Sequence, residues 1–204
     1  MLVGRAREID GIDRLLEGAT AGAGGLRIVH GEPGIGKTRL ADEATARAAT
    51  RGFTTAWGRA WETGGAPPYW PWIEVLQVLA TPDAEVSPRI RELLDRSGSP
   101  ASAERMRADP ARERFELFEA VGAFLRVRSR SAPLFVVLDD LHAADVPSLE
   151  LLSFVARGLR SSRVAVVGTY RDLEARQPPV VDVLRRVARE GELFALRRLT
   201  QEDV

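Results

Sequence analysis

Leu26-Arg27-Ile28-Val29-His30-Gly31-Glu32-Pro33-Gly34-Ile35-Gly36-Lys37-Thr38 is the stretch on which the architecture turns. Leu26 to His30 is a short apolar run of buried-strand length, and it leads directly into a glycine-punctuated loop. Beyond the loop, Leu40, Ala41, Ala44 and Ala48 recur at helical spacing until Gly52 closes the helix. Gly31, four intervening residues, Gly36, Lys37 and Thr38 therefore make a complete P-loop in its proper setting between a strand and a helix. The glycines let successive backbone N–H groups point inward at phosphate oxygens, and the helix N-terminus adds its partial positive charge. Lys37 is expected to reach the β- and γ-phosphates, and Thr38 to offer a hydroxyl to Mg2+. The candidate cradle is Gly31, Glu32, Pro33, Gly34, Ile35, Gly36, Lys37, Thr38 and the adjoining Arg39. The competing reading of the same residues is a glycine-rich turn with a helix-capping lysine.

One count sharpens the choice. Of the 29 basic residues all but one are arginine, and the single lysine is Lys37. A base bias in the genome explains an excess of arginine but not its lone exception, which calls for a compact ammonium that a planar guanidinium does not imitate.

Outward from the loop, strands alternate with helices. Ile9, Ile12, Leu15, Leu16 and Ala19 mark an amphipathic helix before it, ending in the glycine-rich stretch Gly18 to Gly25, read as a flexible joint. Phe53 to Trp57, Leu134 to Leu138, Val164 to Gly168 and Leu193 to Leu196 read as further strands, with helices around Phe115 to Leu125, from near Pro147, and over Val180 to Val187. This predicts an α/β P-loop NTPase fold, three layers α/β/α around a five-stranded, mainly parallel sheet. Residues 1–204 are read as one nucleotide-binding domain. Residues 61–112, between the second and third strands, form a helical and loop insertion with helices near Trp72 to Leu79 and Ile90 to Leu94 and a mobile loop at Ser97 to Pro110.

The 204 residues carry 29 acidic and 29 basic groups and no cysteine. Zero net charge disfavours polyanion binding as the main task, so direct nucleic-acid binding by this segment is not expected. Without cysteine there is no disulfide framework, thiolate zinc site or thiol nucleophile, and any metal is held by oxygen. The N-terminus lacks the apolar stretch of a signal peptide, and no run of eighteen apolar residues occurs, so a cytoplasmic chain without membrane contact is expected.

A P-loop nucleotidase also needs a carboxylate at the end of a neighbouring strand, and Leu134 to Leu138 followed by Asp139 supplies it. Asp139 is the metal-side carboxylate. Asp140, one residue on, is placed to orient or deprotonate attacking water, with a helix or turn cap as the plainer reading. Arg171, closing Gly168-Thr169-Tyr170-Arg171, lies where ligands of parallel sheets bind and is read either as a γ-phosphate contact or as a surface salt bridge. The candidate catalytic set is thus Asp140, Asp139, Lys37 and Arg171, and the metal-side pair is Thr38 and Asp139. Trp57, Trp61, Trp70 and Trp72 crowd beside Tyr69, a cluster expected to bury itself against the sheet.

The chain resembles the nucleotide-binding domain of the STAND class of AAA+-related ATPases, as found at the front of large LuxR-type bacterial transcriptional regulators and of some adenylate cyclases. The likeness rests on Leu2-Val3-Gly4-Arg5, Gly31 to Leu40, Gly65-Ala66-Pro67-Pro68-Tyr69-Trp70-Pro71-Trp72, Arg114 to Phe118, Leu138-Asp139-Asp140-Leu141-His142 and Gly168 to Arg171. It implies that Val3, Gly4 and Arg5 lie over adenine and that Arg171 senses the γ-phosphate. It also implies ATP or ADP with Mg2+ as ligands, and downstream lid, sensor and effector domains of the same polypeptide as partners. The pattern departs at Ala143, where the class usually has tryptophan, which leaves His142 without an assigned role, and Asp145 reads as an N-cap. The sequence stops where the lid would begin, so a shortened form or a short homologue is expected.

These readings converge on an ATP-operated regulatory switch with slow hydrolysis, self-association into a homo-oligomer being left open. A ring-forming AAA+ motor is the alternative, with Arg185, Arg186 or Arg189 read either as a trans arginine or, more commonly, as an exposed arginine face of a helix, and a nucleotide-stabilised interaction module is another. A GTPase is disfavoured, since a guanine-specifying Asn-Lys-x-Asp needs a second lysine.

Overall fold

The computed structural model describes residues 4–62, 65–82, 84–96, 110–172 and 179–198. In chain order they form α1 (Ala6–Thr20), β1 (Gly25–Gly31), α2 (Lys37–Thr50), β2 (Thr54–Arg59), α3 (Trp70–Leu79), α4 (Pro88–Arg96), α5 (Pro110–Ser131), β3 (Leu134–Asp139), α6 (Val146–Gly158), β4 (Val164–Arg171), α7 (Val180–Glu190) and β5 (Glu192–Ala195). The stretch read as a mobile loop lies outside the described residues, apart from Pro110, which opens α5.

The strands make one sheet in the order β2-β3-β4-β1-β5, and every pairing is parallel. Because side chains alternate along a strand, β3 divides its residues between two cores: Leu134, Val136 and Leu138 face one, and Phe135 and Val137 the other. Helices α1 and α2 cover the Phe135 face, while α3 to α7 cover the Leu134 face. Both faces are buried, which is why β3 is apolar without interruption until its closing aspartate. This is the three-layer α/β/α P-loop architecture expected from the sequence.

Several local readings are revised. The glycine-rich joint after α1 is a packed turn: Gly24 donates its N–H to the Ser162 carbonyl at 2.8 Å, and a Cβ on Gly24 would lie 2.1 Å from the Val164 carbonyl oxygen. Strand β2 runs two residues past Trp57, to Arg59. The tryptophan cluster divides. Trp72 is fully buried and donates to the Ser148 carbonyl, and Trp57 is half-buried with its Nε1 on Thr45 Oγ1. Trp61, by contrast, is 57% exposed, because it follows the end of β2 at the rim of the sheet.

Helix α3 presses closely on β2, since a Cβ on Gly58 would meet the Pro71 carbonyl oxygen at 1.9 Å. Pro71, Trp72, Ile73, Val75, Leu76 and Leu79 are all buried in this contact and its surroundings. The approach fixes the end of β2, and with it whatever side chains β2 delivers to the sheet's C-terminal edge. Gly58→Ala is therefore expected to lower unfolding free energy by about 3 kcal/mol, at the upper end of overpacking costs because the obstacle is backbone; urea denaturation with an unchanged midpoint would contradict the contact.

Candidate functional site

The parallel register aligns the C-terminal ends of four strands. Gly31 pairs with Arg171 across β1 and β4, and Arg59 with Asp139 across β2 and β3. Ligands of open parallel sheets bind beyond these ends. The loop leaving β1 takes left-handed backbone at Gly34 (φ 75°) and Gly36 (φ 100°), and a Cβ at either would find no atom within 4 Å, so both face open space. Gly36 is the N-cap of α2, whose first residue is Lys37. The sequence brings the helix N-terminus and the loop amides together by spacing alone.

Lys37 is 7% exposed and donates to the loop's own carbonyls, Gly31 O at 3.1 Å and Glu32 O at 2.9 Å. Burial, followed by the nearby Arg171 guanidinium, lowers its pKa, while Asp140, Asp172 and Asp139 pull the other way. Thr38 Oγ1 lies 3.3 Å from Asp139 Oδ2. Asp139 is fully buried and its oxygens are shared out: Thr169 Oγ1 donates to Oδ1 at 2.5 Å, and Arg59 places Nε and Nη2 at 3.2 and 2.9 Å from Oδ2. A buried carboxylate demands such partners, since leaving it unpaired costs several kcal/mol, about 3–5 by analogy with broken buried ion pairs.

Asp140 occupies left-handed backbone, φ 58° and ψ 42°, and donates its N–H to Thr169 Oγ1 at 3.0 Å. It stands at the N-cap of the 3-10 turn Leu141–Ala143, where its carbonyl accepts from Ala143 N at 2.9 Å, but its side chain makes no capping bond. Burial, then the adjacent Asp139 charge, raises its pKa, while His142 and Arg171 oppose the rise. Arg171 Nη2 pairs with Glu62 Oε1 at 2.7 Å, and its Nε lies 3.8 Å from Asp140 Oδ1. His142 is buried between the same two acids, Nε2 at 3.5 Å from Glu62 and Nδ1 at 3.9 Å from Asp140. Asp145 caps α6, accepting from Ser148 N at 2.9 Å.

Lys37, Thr38, Asp139, Asp140 and Arg171 thus share one edge of the sheet. Arg5 touches the loop from outside, with Nη2 on Ile35 O at 3.2 Å, beside Gly4 (φ 70°). Val3 lies outside the described residues. Glu32, Pro33, Gly34 and Arg39 are solvent-exposed, Glu32 pairing with Arg198 at 2.7 Å. Three contributors were not assigned from sequence: Arg59, Glu62 and Thr169. Thr169 carried a signal, its place two residues before Arg171 on β4. Ending β2 at Trp57 hid Arg59.

A hydroxyl beside a buried carboxylate is a hard-oxygen donor pair of the kind magnesium accepts, so the residues fit that ion. Because the raised pKa of Asp140 means that its ionised form is disfavoured by the fold, stability falls as pH rises through the carboxylate range. Asp140→Asn, which also tolerates left-handed backbone, is expected to melt higher than wild type at pH 7, with the advantage shrinking as pH falls through the raised folded-state range and gone below about 4, the ordinary carboxyl value. A scanning-calorimetry difference that grows toward acid would contradict this.

Curated proteins give no match to the sequence. Among solved structures the chain is similar to the ORC2 protein of Aeropyrum pernix in ADPNP–ADP complexes, at 16% identity and TM-score 0.58 over 94% of this chain and 47% of that one. It is similar also to the Aeropyrum pernix ORC1 protein in complex with DNA, at 18% identity and TM-score 0.57 over 100% and 47%. A third likeness is to the Drosophila ORC bound to DNA, at 14% identity and TM-score 0.51 over 97% and 92%. The chain spans about half the length of the first two. At such identities the likeness concerns the fold, and it agrees with the parallel sheet and its helices. The family follows from the sequence: residues 1–167, through the P-loop to the first half of β4, match the AAA ATPase domain, and the chain belongs to that family.

Proposed function

We propose that this domain is an ATP-operated regulatory switch of the STAND type, binding ATP or ADP and hydrolysing ATP slowly. The observation that carries the reading is the position of Arg171, which holds an intrachain acid, Glu62 at 2.7 Å, at the sheet edge where the P-loop begins. An arginine with such a partner can exchange it for a γ-phosphate and return after cleavage, so the contact made to Glu62 differs between the two nucleotides.

Each residue has a task that its position supports. The Lys37 ammonium turns from the Gly31 and Glu32 carbonyls to the β- and γ-phosphates. Thr38 and Asp139 would hold a magnesium ion, which when bound neutralises charge on the phosphate oxygens. Asp140 orients the attacking water and takes its proton as the oxygen bonds to the γ-phosphorus and the bond to the ADP oxygen breaks. By resemblance, Val3, Gly4 and Arg5 lie over adenine, and Arg5 ties that arm to the loop through Ile35 O. Lid, sensor and effector domains of the same polypeptide are the partners that would read the switch, in the cytoplasm. Among the described residues no helix is long and apolar enough to cross a membrane.

A second reading, a ring-forming motor, is favoured by one feature: Arg185, Arg186 and Arg189 are exposed on α7, where an arginine could meet a neighbour's nucleotide. Turnover per subunit rising with protein concentration, with hexamers in light scattering, would select it over the switch.

Lys37→Ala is expected to weaken ATP and ADP binding by at least about 100-fold in calorimetry. Unaltered affinity in that variant would overturn the reading. Asp140→Ala is expected to retain ATP, detectable by native mass spectrometry, without releasing phosphate.

A further inference from the structure

Asp139 Oδ2 is claimed from two sides. Thr38 Oγ1 approaches it at 3.3 Å from the first turn of α2, and the Arg59 fork takes it at 2.9 and 3.2 Å from β2. The other oxygen is committed to Thr169. The two partners of the ion pair differ in their access to water: the Asp139 carboxylate is 0% exposed and the Arg59 side chain 58%. Asp139 therefore needs a cation, whereas Arg59 loses little on release, because water receives it. Arg59 is held at its backbone instead, its N–H donating to Glu74 Oε2 at 2.7 Å, so the guanidinium moves on a fixed anchor.

We infer that Arg59 is a resident cation that competes with the divalent ion for Asp139 Oδ2 and so sets the metal concentration at which the site engages. The inference rests on the reading above in which Thr38 and Asp139 hold that ion. A guanidinium and a divalent cation repel one another and cannot both use Oδ2 at hydrogen-bonding distance. Metal entry moves Arg59 out to solvent; metal loss returns it, sparing the buried carboxylate from standing unpaired. The β2–β3 register sets Arg59 beside Asp139.

The test uses the full chain and reads metal binding without nucleotide, by Mn2+ electron paramagnetic resonance. Arg59→Gln removes the competing charge and is expected to tighten Mn2+ binding by about tenfold. Arg59→Lys keeps a cation but loses the two-nitrogen fork, so a gain of about threefold is expected. Mn2+ affinity equal to or weaker than wild type in Arg59→Gln, with a native melting profile, overturns the inference. Should Arg59→Gln fail to fold, Arg59→Lys decides, and an affinity identical to wild type overturns it. A Mg2+ titration of fluorescent ATP-analogue binding distinguishes failure of the competition from failure of the switch. If wild type binds no nucleotide, the switch fails while the Mn2+ result still judges Arg59. If Arg59→Gln needs more Mg2+ than wild type, Arg59 is a phosphate ligand and the competition is refuted.

Discussion

A carboxylate with no access to water, Asp139 at the end of a central strand, is the constraint around which the functional edge is organised. Burying such a charge is tolerable only when hydrogen bonds and a counter-charge surround it. Thr169 from β4, Thr38 from α2 and Arg59 from β2 meet that demand, each from a different element. The group that fits a metal site is consequently also the point at which three neighbouring elements are tied together. Thr169 serves twice, donating to Asp139 and accepting the Asp140 N–H, and this second bond helps hold Asp140 in left-handed backbone.

Around that anchor the charges are arranged as alternating pairs. Lys37 and Arg171 lie close enough that Arg171 depresses the lysine pKa, and Asp139 lies close enough to Asp140 to disfavour its ionisation. Like charges on both sides would be costly if nothing bridged them. Arg171 is bridged by Glu62, and Asp140 faces both Arg171 and the buried His142. A site of this kind stores electrostatic strain that an incoming anion relieves at the cations, while Asp140 keeps its raised affinity for protons.

Much of this could be read directly from the chain. The P-loop is local chemistry: glycines at fixed offsets permit the left-handed turns seen at Gly34 and Gly36, and the lone lysine follows them at once. The apolar run of β3 ending in Asp139-Asp140 was equally legible, because full burial on both faces erases polar alternation. Helix α6 announced itself through Asp145 and Pro147. Less legible were the packed turn at Gly24 and the exposed Trp61. Glycine-rich sequence looks the same whether it is loose or pressed against a carbonyl, and tryptophan looks the same whether or not a layer covers it.

The sequence by itself determined the phosphate cradle, the strand that ends in two acids and the alternation of strands and helices, since each depends on contacts between residues close along the chain. Tertiary structure alone decided which cation sits on Asp139 and which acid holds Arg171. Arg59 lies 80 positions from Asp139, and it is brought there by the register of two parallel strands and by α3 pressing its proline carbonyl onto Gly58. Glu62 reaches Arg171 from the loop beyond β2. Such pairings depend on how strands align across a sheet, and no local spacing encodes that alignment.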